Sequence, residues 1–193
     1  MSYPREESIQ RAMETFWKKG YLGTGMRDLQ AALDKRPGSI YSAFGNKEGL
    51  YLEVLNSYTQ RLNSQILDVV ESQSPLDELR RFLCIPLSMD DSSMHKVQCL
   101  IIKTQADWTE LPDNVQRALQ TSSELLRHSF QKIILKAQSI GELGENIQTN
   151  RAATWLQGQF IALRTLAAGM ENPADIEWMV DKIIGDLPNN WEE

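Results

Sequence analysis

A short stretch near the N-terminus carries side chains that suit contact with a polyanion. Lys35, Arg36 and Lys47 supply positive charge on both sides of this stretch. Between them lie small and hydroxyl-bearing residues, which can hydrogen-bond to phosphates and to base edges. The outward-facing residues would be Ser39, Tyr41, Ser42 and Ala43. These residue types predict a nucleic-acid contact, provided that a helix presents them to solvent.

Two short helices joined by a tight turn would position these side chains. The apolar spacing predicts one helix over 25–33 and a second over 37–43, with a turn over 34–36. Ile40 and Phe44 would face the core from the second helix. This is the pattern of a helix-turn-helix, whose second helix fits a major groove about 12 Å wide.

Helix signals continue on both sides of this motif. A first helix is predicted over 5–19, ending at Gly20. Thr24 is expected to cap the second helix with its hydroxyl, and Asn46 to cap a long fourth helix. The run 97–108 is too short to decide between a buried strand and a buried helix.

The rest of the chain also has helical periodicity, and no hairpin signal interrupts it. Helices are predicted to begin at Pro75 and near Leu111, to span 149–170, and to run from Ile176 to Leu187. About nine helices make the predicted fold all-α. We expect two domains, a helix-turn-helix head over 1–45 and a helical body over 46–193.

Composition limits the class of protein. The chain has 193 residues, of which 41% are apolar and 24% charged, as in an ordinary globular protein. Two cysteines are too few for a disulfide framework. No apolar run approaches the ~18 residues of a membrane span, and no signal peptide is evident, so we expect a cytoplasmic protein without membrane contact. The net charge is −6, but residues 1–50 hold eight cations and six acids.

The motif residues resemble the DNA-binding domain of the TetR family of transcriptional regulators. The resemblance covers roughly residues 5–55. The matching residues are Gly20-Tyr21-x-x-Thr24, Asp28-Leu29, Ala32-Leu33, and Gly38-Ser39-Ile40-Tyr41-x-x-Phe44-x-x-Lys47-Glu48-x-Leu50. The resemblance implies a repressor that binds a palindromic operator in double-stranded DNA and is released by a small-molecule effector. It also implies a homodimer through the last two helices, over 149–187.

The resemblance also suggests a role for each matching position. It implies that Tyr41 and Lys47 grip phosphates, and that Thr24 and Arg27 lie beside the DNA backbone. The residues implied to meet base edges and backbone are Arg36, Pro37, Gly38, Ser39 and Ser42.

The turn departs from the family pattern, in which a glycine precedes an apolar residue. Asp34 stands in the glycine position, so it must accept the turn conformation, which Asp does better than most residues. Lys35 stands in the apolar position. Either its aliphatic stem is buried or the turn sits differently.

An effector pocket, if the body holds one, would be lined by aromatic and soft side chains, because ligand sites are mainly apolar with few polar groups. The candidates are Phe82, Met94, Cys99, Trp108, His128, Phe130 and Trp155. Cys99 lies in an apolar run and is either a packed thiol or a sensor of oxidants and electrophiles. Gln105, Gln159 and Arg164 are candidate polar anchors.

Other functions have less support from the residues. An all-α protein–protein interaction module remains the alternative, since the body is acidic and the helix-turn-helix can be purely structural. No catalytic constellation or phosphate-binding loop is present, so an enzyme is not expected. His95 and His128 lack further ligands at suitable spacing, and neither a metal nor a cofactor is predicted.

Overall fold

The chain folds into α-helices throughout the part that the computed structural model describes, residues 5–85, 99–169 and 172–188. These ranges contain no strand, which confirms the predicted all-α class. The helices are α1 (Arg5–Gly23), α2 (Met26–Leu33), α3 (Pro37–Phe44), α4 (Lys47–Glu71), α5 (Pro75–Cys84), α6 (Leu100–Gln105), α7 (Asp113–Ser139), α8 (Thr149–Leu166) and α9 (Pro173–Asp186). Within these ranges, no helix is both long and apolar enough to cross a bilayer.

The chain groups into two compact units. The first comprises Met1–Gln60 with Leu100–Ser122, and the second Arg61–Cys99 with Ser123–Glu193. The helices α4 and α7 each contribute residues to both units. The boundary that we predict between residues 45 and 46 stays a prediction, because compact grouping does not measure which part folds on its own.

Aromatic packing forms the centre of the first unit. The ring of Tyr51 on α4 lies 4.9 Å from that of Phe16 and 4.8 Å from that of Tyr21, both on α1. Phe16 and Tyr51 are completely buried. The Tyr51 hydroxyl also shares a hydrogen bond of 2.5 Å with Thr104 Oγ1, which ties α6 to α4. These contacts fix the frame against which α2 and α3 pack.

Three of the local predictions have clear outcomes. Gly20 breaks α1 with φ 75° and ψ 168°, a conformation open to glycine, and helical structure continues to Gly23 beyond the break. Asn46 caps α4, since its Oδ1 accepts from the Gly49 N–H at 2.7 Å. The undecided run contains a helix, α6, while Val97 lies outside the described residues.

The second unit is built around a row of phenylalanines. The ring of Phe160 on α8 lies 5.7 Å from Phe82 on α5 and 5.7 Å from Phe130 on α7. An ion pair between Arg80 and Asp181, at 2.6 Å, links α5 to α9 on the surface. Asn172 caps α9, since its side chain accepts from the Ala174 N–H.

Candidate nucleic-acid interface

The turn between α2 and α3 is left-handed at Asp34. Its φ of 48° and ψ of 46° make it the one non-glycine residue with positive φ in the described ranges. Its N–H donates to Gln30 O, as does the N–H of Lys35 at 3.3 Å. Asp tolerates this region better than most residues because its short polar side chain can hydrogen-bond locally. The prediction that Asp34 accepts the turn conformation is confirmed.

Lys35 points back into the first unit. Its Nζ donates to Ser8 Oγ at 2.8 Å, and Ser8 on α1 is completely buried. The side chain of Lys35 is itself half-buried. The structure therefore favours the first of the two alternatives: the stem packs against α1, and the ammonium satisfies a buried hydroxyl. We predicted positive charge for phosphates at Lys35, but its ammonium already has a partner inside the protein.

The helix α3 exposes one continuous polar face. Pro37 stands in its first turn, where the missing N–H costs no hydrogen bond. Ile40 is completely buried and Phe44 nearly so, as the spacing predicts. The phenol ring of Tyr41 is 47% exposed. The other exposed residues at and along the helix are Arg36, Gly38, Ser39, Ser42 and Ala43.

Thr24 does not cap α2, so that prediction is wrong. Its side chain is completely buried, and its hydroxyl donates to Gly20 O at 2.6 Å, at the break in α1. The N-cap is Gly25, whose N–H donates to the Asp28 carboxylate at 2.8 Å. Lys19 also donates to that carboxylate at 2.5 Å. The hydrogen bond from Lys19 and then that from Gly25 lower the pKa of Asp28.

The burial of Thr24 also affects its predicted place beside the DNA backbone. Thr24 has no exposed surface, so neither its side chain nor its backbone is open to a phosphate in this structure. Arg27, two residues into α2, is exposed. Thr24 is therefore buried and Arg27 exposed, although the resemblance implies that both lie beside the DNA backbone.

Lys47 is anchored to α1. Its Nζ donates to Tyr21 O at 3.0 Å and lies 4.4 Å from the centre of the Tyr21 ring. Burial lowers the pKa of Lys47. Burial, followed by the nearby Glu48 carboxylate, raises the pKa of Tyr21. Sequence reasoning placed Tyr21 in the family pattern and gave it no role, although it holds the lysine beside α3.

Two of the predicted effector residues share an aromatic neighbour. Phe82 and Phe130 both pack on Phe160, which was not among the candidates. Cys99 is buried, with 1% of its surface exposed. Met94 lies outside the described residues. The remaining three candidates are His128, which is exposed, and Trp108 and Trp155, which are half-buried.

A groove runs between α8 and α9 in the second unit. It encloses about 230 Å³ and is lined on α8 by Trp155 and Gln159. Its residues on α9 are Trp178, Met179, Lys182, Ile183 and Asp186. Trp178 is 67% exposed, and Leu166 near the end of α8 is 47% exposed. The groove is therefore of mixed chemistry, with the charged residues Lys182 and Asp186 beside its apolar side chains.

Comparison with known proteins places the helix-turn-helix in a family. Residues 9–54 match the model of the bacterial regulatory proteins of the tetR family. An uncharacterized HTH-type transcriptional regulator of Bacillus subtilis, YezE, is 26% identical over 178 residues, 91% of this chain and 90% of YezE. The HTH-type transcriptional repressor ComR of Escherichia coli is 24% identical over 170 residues, 84% of this chain and 80% of ComR.

The fold also matches a solved structure over nearly its full length. This is a cysteine mutant of the TetR family transcriptional regulator CifR, solved with 26 bp double-strand operator DNA. The TM-score is 0.80 at 23% identity, covering 96% of this chain and 97% of CifR. The helix-turn-helix over residues 9–54 thus matches the tetR family of bacterial regulatory proteins, and the relatives and the shared fold resemble this family over most of the chain.

Proposed function

We propose that this protein is a homodimeric transcriptional repressor of the cytoplasm that binds a palindromic operator. The outer face of α3 carries this proposal. Between Arg36 and Ala43 only Ile40 is buried, and the exposed positions offer hydroxyls, a guanidinium and small residues. Such a face can approach base edges closely. ComR is named a repressor, and CifR was solved on operator DNA, which supports the same role here.

The interface residues divide by their chemistry. Arg36, Ser39 and Ser42 lie on the face that would meet base edges. Pro37 and Gly38 lie at the start of α3, where the helix would come closest to the DNA. The Tyr41 hydroxyl and the Arg27 guanidinium would bind phosphates. Thr24 is completely buried, so its part would be indirect: its hydroxyl holds the Gly20 carbonyl beside the start of α2.

Lys47 has a double task in this proposal. An ammonium has three donors, and one of those of Lys47 is directed to Tyr21 O. The side chain is half-buried rather than fully enclosed, so a phosphate can take another donor. A lysine held in this way would present its charge without first losing the entropy of a free side chain.

Dimerisation would use the faces of α8 and α9 that line the groove. Burying Trp178 and Leu166 against a second copy would remove the two most exposed large apolar side chains of these helices from water. A two-fold axis would then present two copies of α3 to successive major grooves, about 34 Å apart. No catalytic role is proposed.

Release from DNA would follow from binding of a small-molecule effector, with electrophiles and oxidants as candidate classes. The effector must bind more tightly to the conformation that does not fit DNA, because only a difference in affinity shifts the equilibrium. The buried cluster of Phe82, Phe130 and Phe160 is the candidate apolar contact for such an effector in the second unit. If Cys99 is the sensor, Cys99→Ser should abolish an oxidant response and leave DNA binding intact.

The deciding experiment is selection from random double-stranded DNA by the purified protein at near-physiological salt. We expect enrichment of a palindrome with half-sites about one helical turn apart or slightly more. Tyr41→Ala, which changes an exposed side chain at a proposed phosphate contact, should select the same palindrome with lower overall affinity while it melts at the same temperature.

Absence of enrichment would count against the proposal, provided that bound small molecules have first been removed by refolding. Weak binding that disappears as salt rises would indicate only electrostatic attraction. In that case the interaction-module function would become the better account of the chain.

A further inference from the structure

Arg5, at the start of α1, joins three helices through one guanidinium. Its Nη1 donates to Ala43 O of α3 at 3.1 Å, and its Nε donates to Glu53 Oε2 of α4 at 3.0 Å. Its Nη2 donates to the other oxygen of Glu53. The guanidinium carbon also lies 4.6 Å from the centre of the Phe44 ring. All four groups belong to the first unit.

The helix α3 depends on such outside contacts for its position. It has eight residues and no charged side chain between Pro37 and Phe44, and an isolated helix of this length is marginal in water. The carbonyls of its last turn carry partial negative charge, and backbone N–H groups bind those of Tyr41 and Phe44. Because the last turn of α3 holds no basic residue, Arg5 supplies the cation from another helix.

Arg5 contacts the end of α3 next to the residues that would meet DNA, so a small change in the orientation of the helix would affect binding. Ala43 and Phe44 directly follow Tyr41 and Ser42, the outward residues of the proposed interface. A hydrogen bond to the Ala43 carbonyl and a stacked ring at Phe44 together restrict rotation of α3 about its own axis. Binding groups must be held within about 0.5 Å and 10–20° to keep their partners.

We propose that Arg5, fixed by Glu53, is a positioning residue that sets the orientation of α3 and hence operator discrimination. The inference rests on the proposed function. The ion pair is largely exposed, with 54% of the Arg5 and 34% of the Glu53 side chain accessible. Exposed pairs contribute little to global stability, so the expected effect is on which DNA is bound and only slightly on folding.

A direct contact between Arg5 and a phosphate is the rival explanation, and Glu53 separates the two. If Arg5 positions α3, all three variants break the same Arg5–Glu53 interaction. Glu53→Gln, Arg5→Gln and the double variant should then lose the same part of the preference for the operator over other DNA. If Arg5 instead binds phosphate, Glu53→Gln frees it and removes a negative charge, so affinity should stay or rise.

The test measures the affinity of the full-length protein for its selected operator and for a scrambled duplex across a range of salt. For both single variants we expect the ratio of the two affinities to fall about tenfold, comparable to the loss of one base contact. The double variant should match the singles, and the salt slope should stay unchanged. Arg5→Lys should not restore the ratio, because an ammonium lacks the forked geometry.

Arg81→Gln is the matched control, since Arg81 pairs with Glu78 inside α5 and belongs to the second unit. It removes the same charge and should leave the ratio unchanged. A wild-type protein that selects no operator would overturn the proposed function, and this inference with it. A wild type that selects, together with an unchanged ratio in Arg5→Gln or a salt slope reduced by about one, would overturn the positioning role alone.

Discussion

The exposed face of α3 and the exposed face of α8 and α9 differ in chemistry. On α3, Tyr41 and its neighbours present hydroxyl groups and a guanidinium, and the large apolar side chains point inward. On α8 and α9 the large apolar side chains Leu166 and Trp178 point outward. The polar face keeps its hydrogen bonds with water until a polar ligand replaces them, whereas the apolar face gains free energy when a partner excludes water. This difference is the reason why we propose nucleic acid as the partner of the face on α3 and a second copy of the chain as the partner of the face on α8 and α9.

The largest effect is expected at the apolar face. Trp178→Asp would place a carboxylate where the proposed dimer buries an indole, and truncated hot-spot tryptophans typically cost 2 kcal/mol or more. We expect the dimer dissociation constant to rise by about 100-fold, as measured by sedimentation equilibrium. Operator affinity should fall with it, because a single α3 reads only half of the site.

Trp178→Phe is the control for this prediction, since it keeps an apolar ring and should stay dimeric. A Trp178→Asp protein that sediments as an unchanged dimer would show that the face of α9 is not the interface. The assignment of protein to the apolar face would then fail, and the polar face would be unaffected.

The second effect concerns the polar face. Tyr41→Ala should weaken binding by about tenfold on operator and unrelated duplexes alike, because phosphate contacts carry no sequence information. Tyr41 is 47% exposed, so the free energy of unfolding should change by no more than about 0.5 kcal/mol. Tyr41→Phe separates the hydroxyl from the ring. Fluorescence anisotropy with labelled DNA gives the affinities, and equal values for Tyr41→Ala and wild type would remove this residue from the interface.

A smaller effect is expected at Asp34, in the turn that joins α2 to α3. Asp34 has a left-handed conformation, which costs roughly 1–2 kcal/mol for most residues and less for Asp. Asp34→Ala should therefore lower the free energy of unfolding by about 1 kcal/mol, while Asp34→Gly should leave it equal or higher. Urea unfolding measures both. If Ala and Gly have the same stability at this position, backbone strain is not what determines the choice of residue here.

The smallest effect is a pH dependence at the start of α2. Hydrogen bonds from Lys19 and Gly25 lower the pKa of Asp28 in the folded protein. The stabilisation is present above the unfolded pKa and is lost as pH falls through the lower folded pKa. Asp28→Asn should flatten the stability profile between about pH 3 and 5. Lys19→Gln should flatten the same range in part, and an unchanged profile in both variants would contradict the assignment.

Periodicity predicted most of the fold because each helix has a buried stripe of its own. Ile40 and Phe44 illustrate this, since their spacing alone identifies the inner face of α3. The sequence does not decide between a strand and a helix around α6. The apolar residues there follow one another without a period, because the segment is buried on more than one side. Thr24 was misassigned because Gly25 is an equally good N-cap one residue later, and only the fold shows that Asp28 satisfies it.

The cations of the site were less predictable than its helices. Lys35, Lys47 and Arg5 all look like solvated charges in the sequence. Their acceptors are Ser8, Tyr21 and the pair Ala43 and Glu53, and the acceptors lie 26 to 48 residues away along the chain. No local pattern connects such residues, because α1 brings them together only after the helices have packed.

The exposure of Trp178 also gives the protein an optical reporter. An indole in water emits at longer wavelength than a buried one and is quenched by acrylamide on collision. Trp17 is only 8% exposed against 67% for Trp178, so the difference spectrum between wild type and Trp178→Phe isolates the emission from α9. A blue shift of that difference as protein concentration rises would report the burial of this face without any added label.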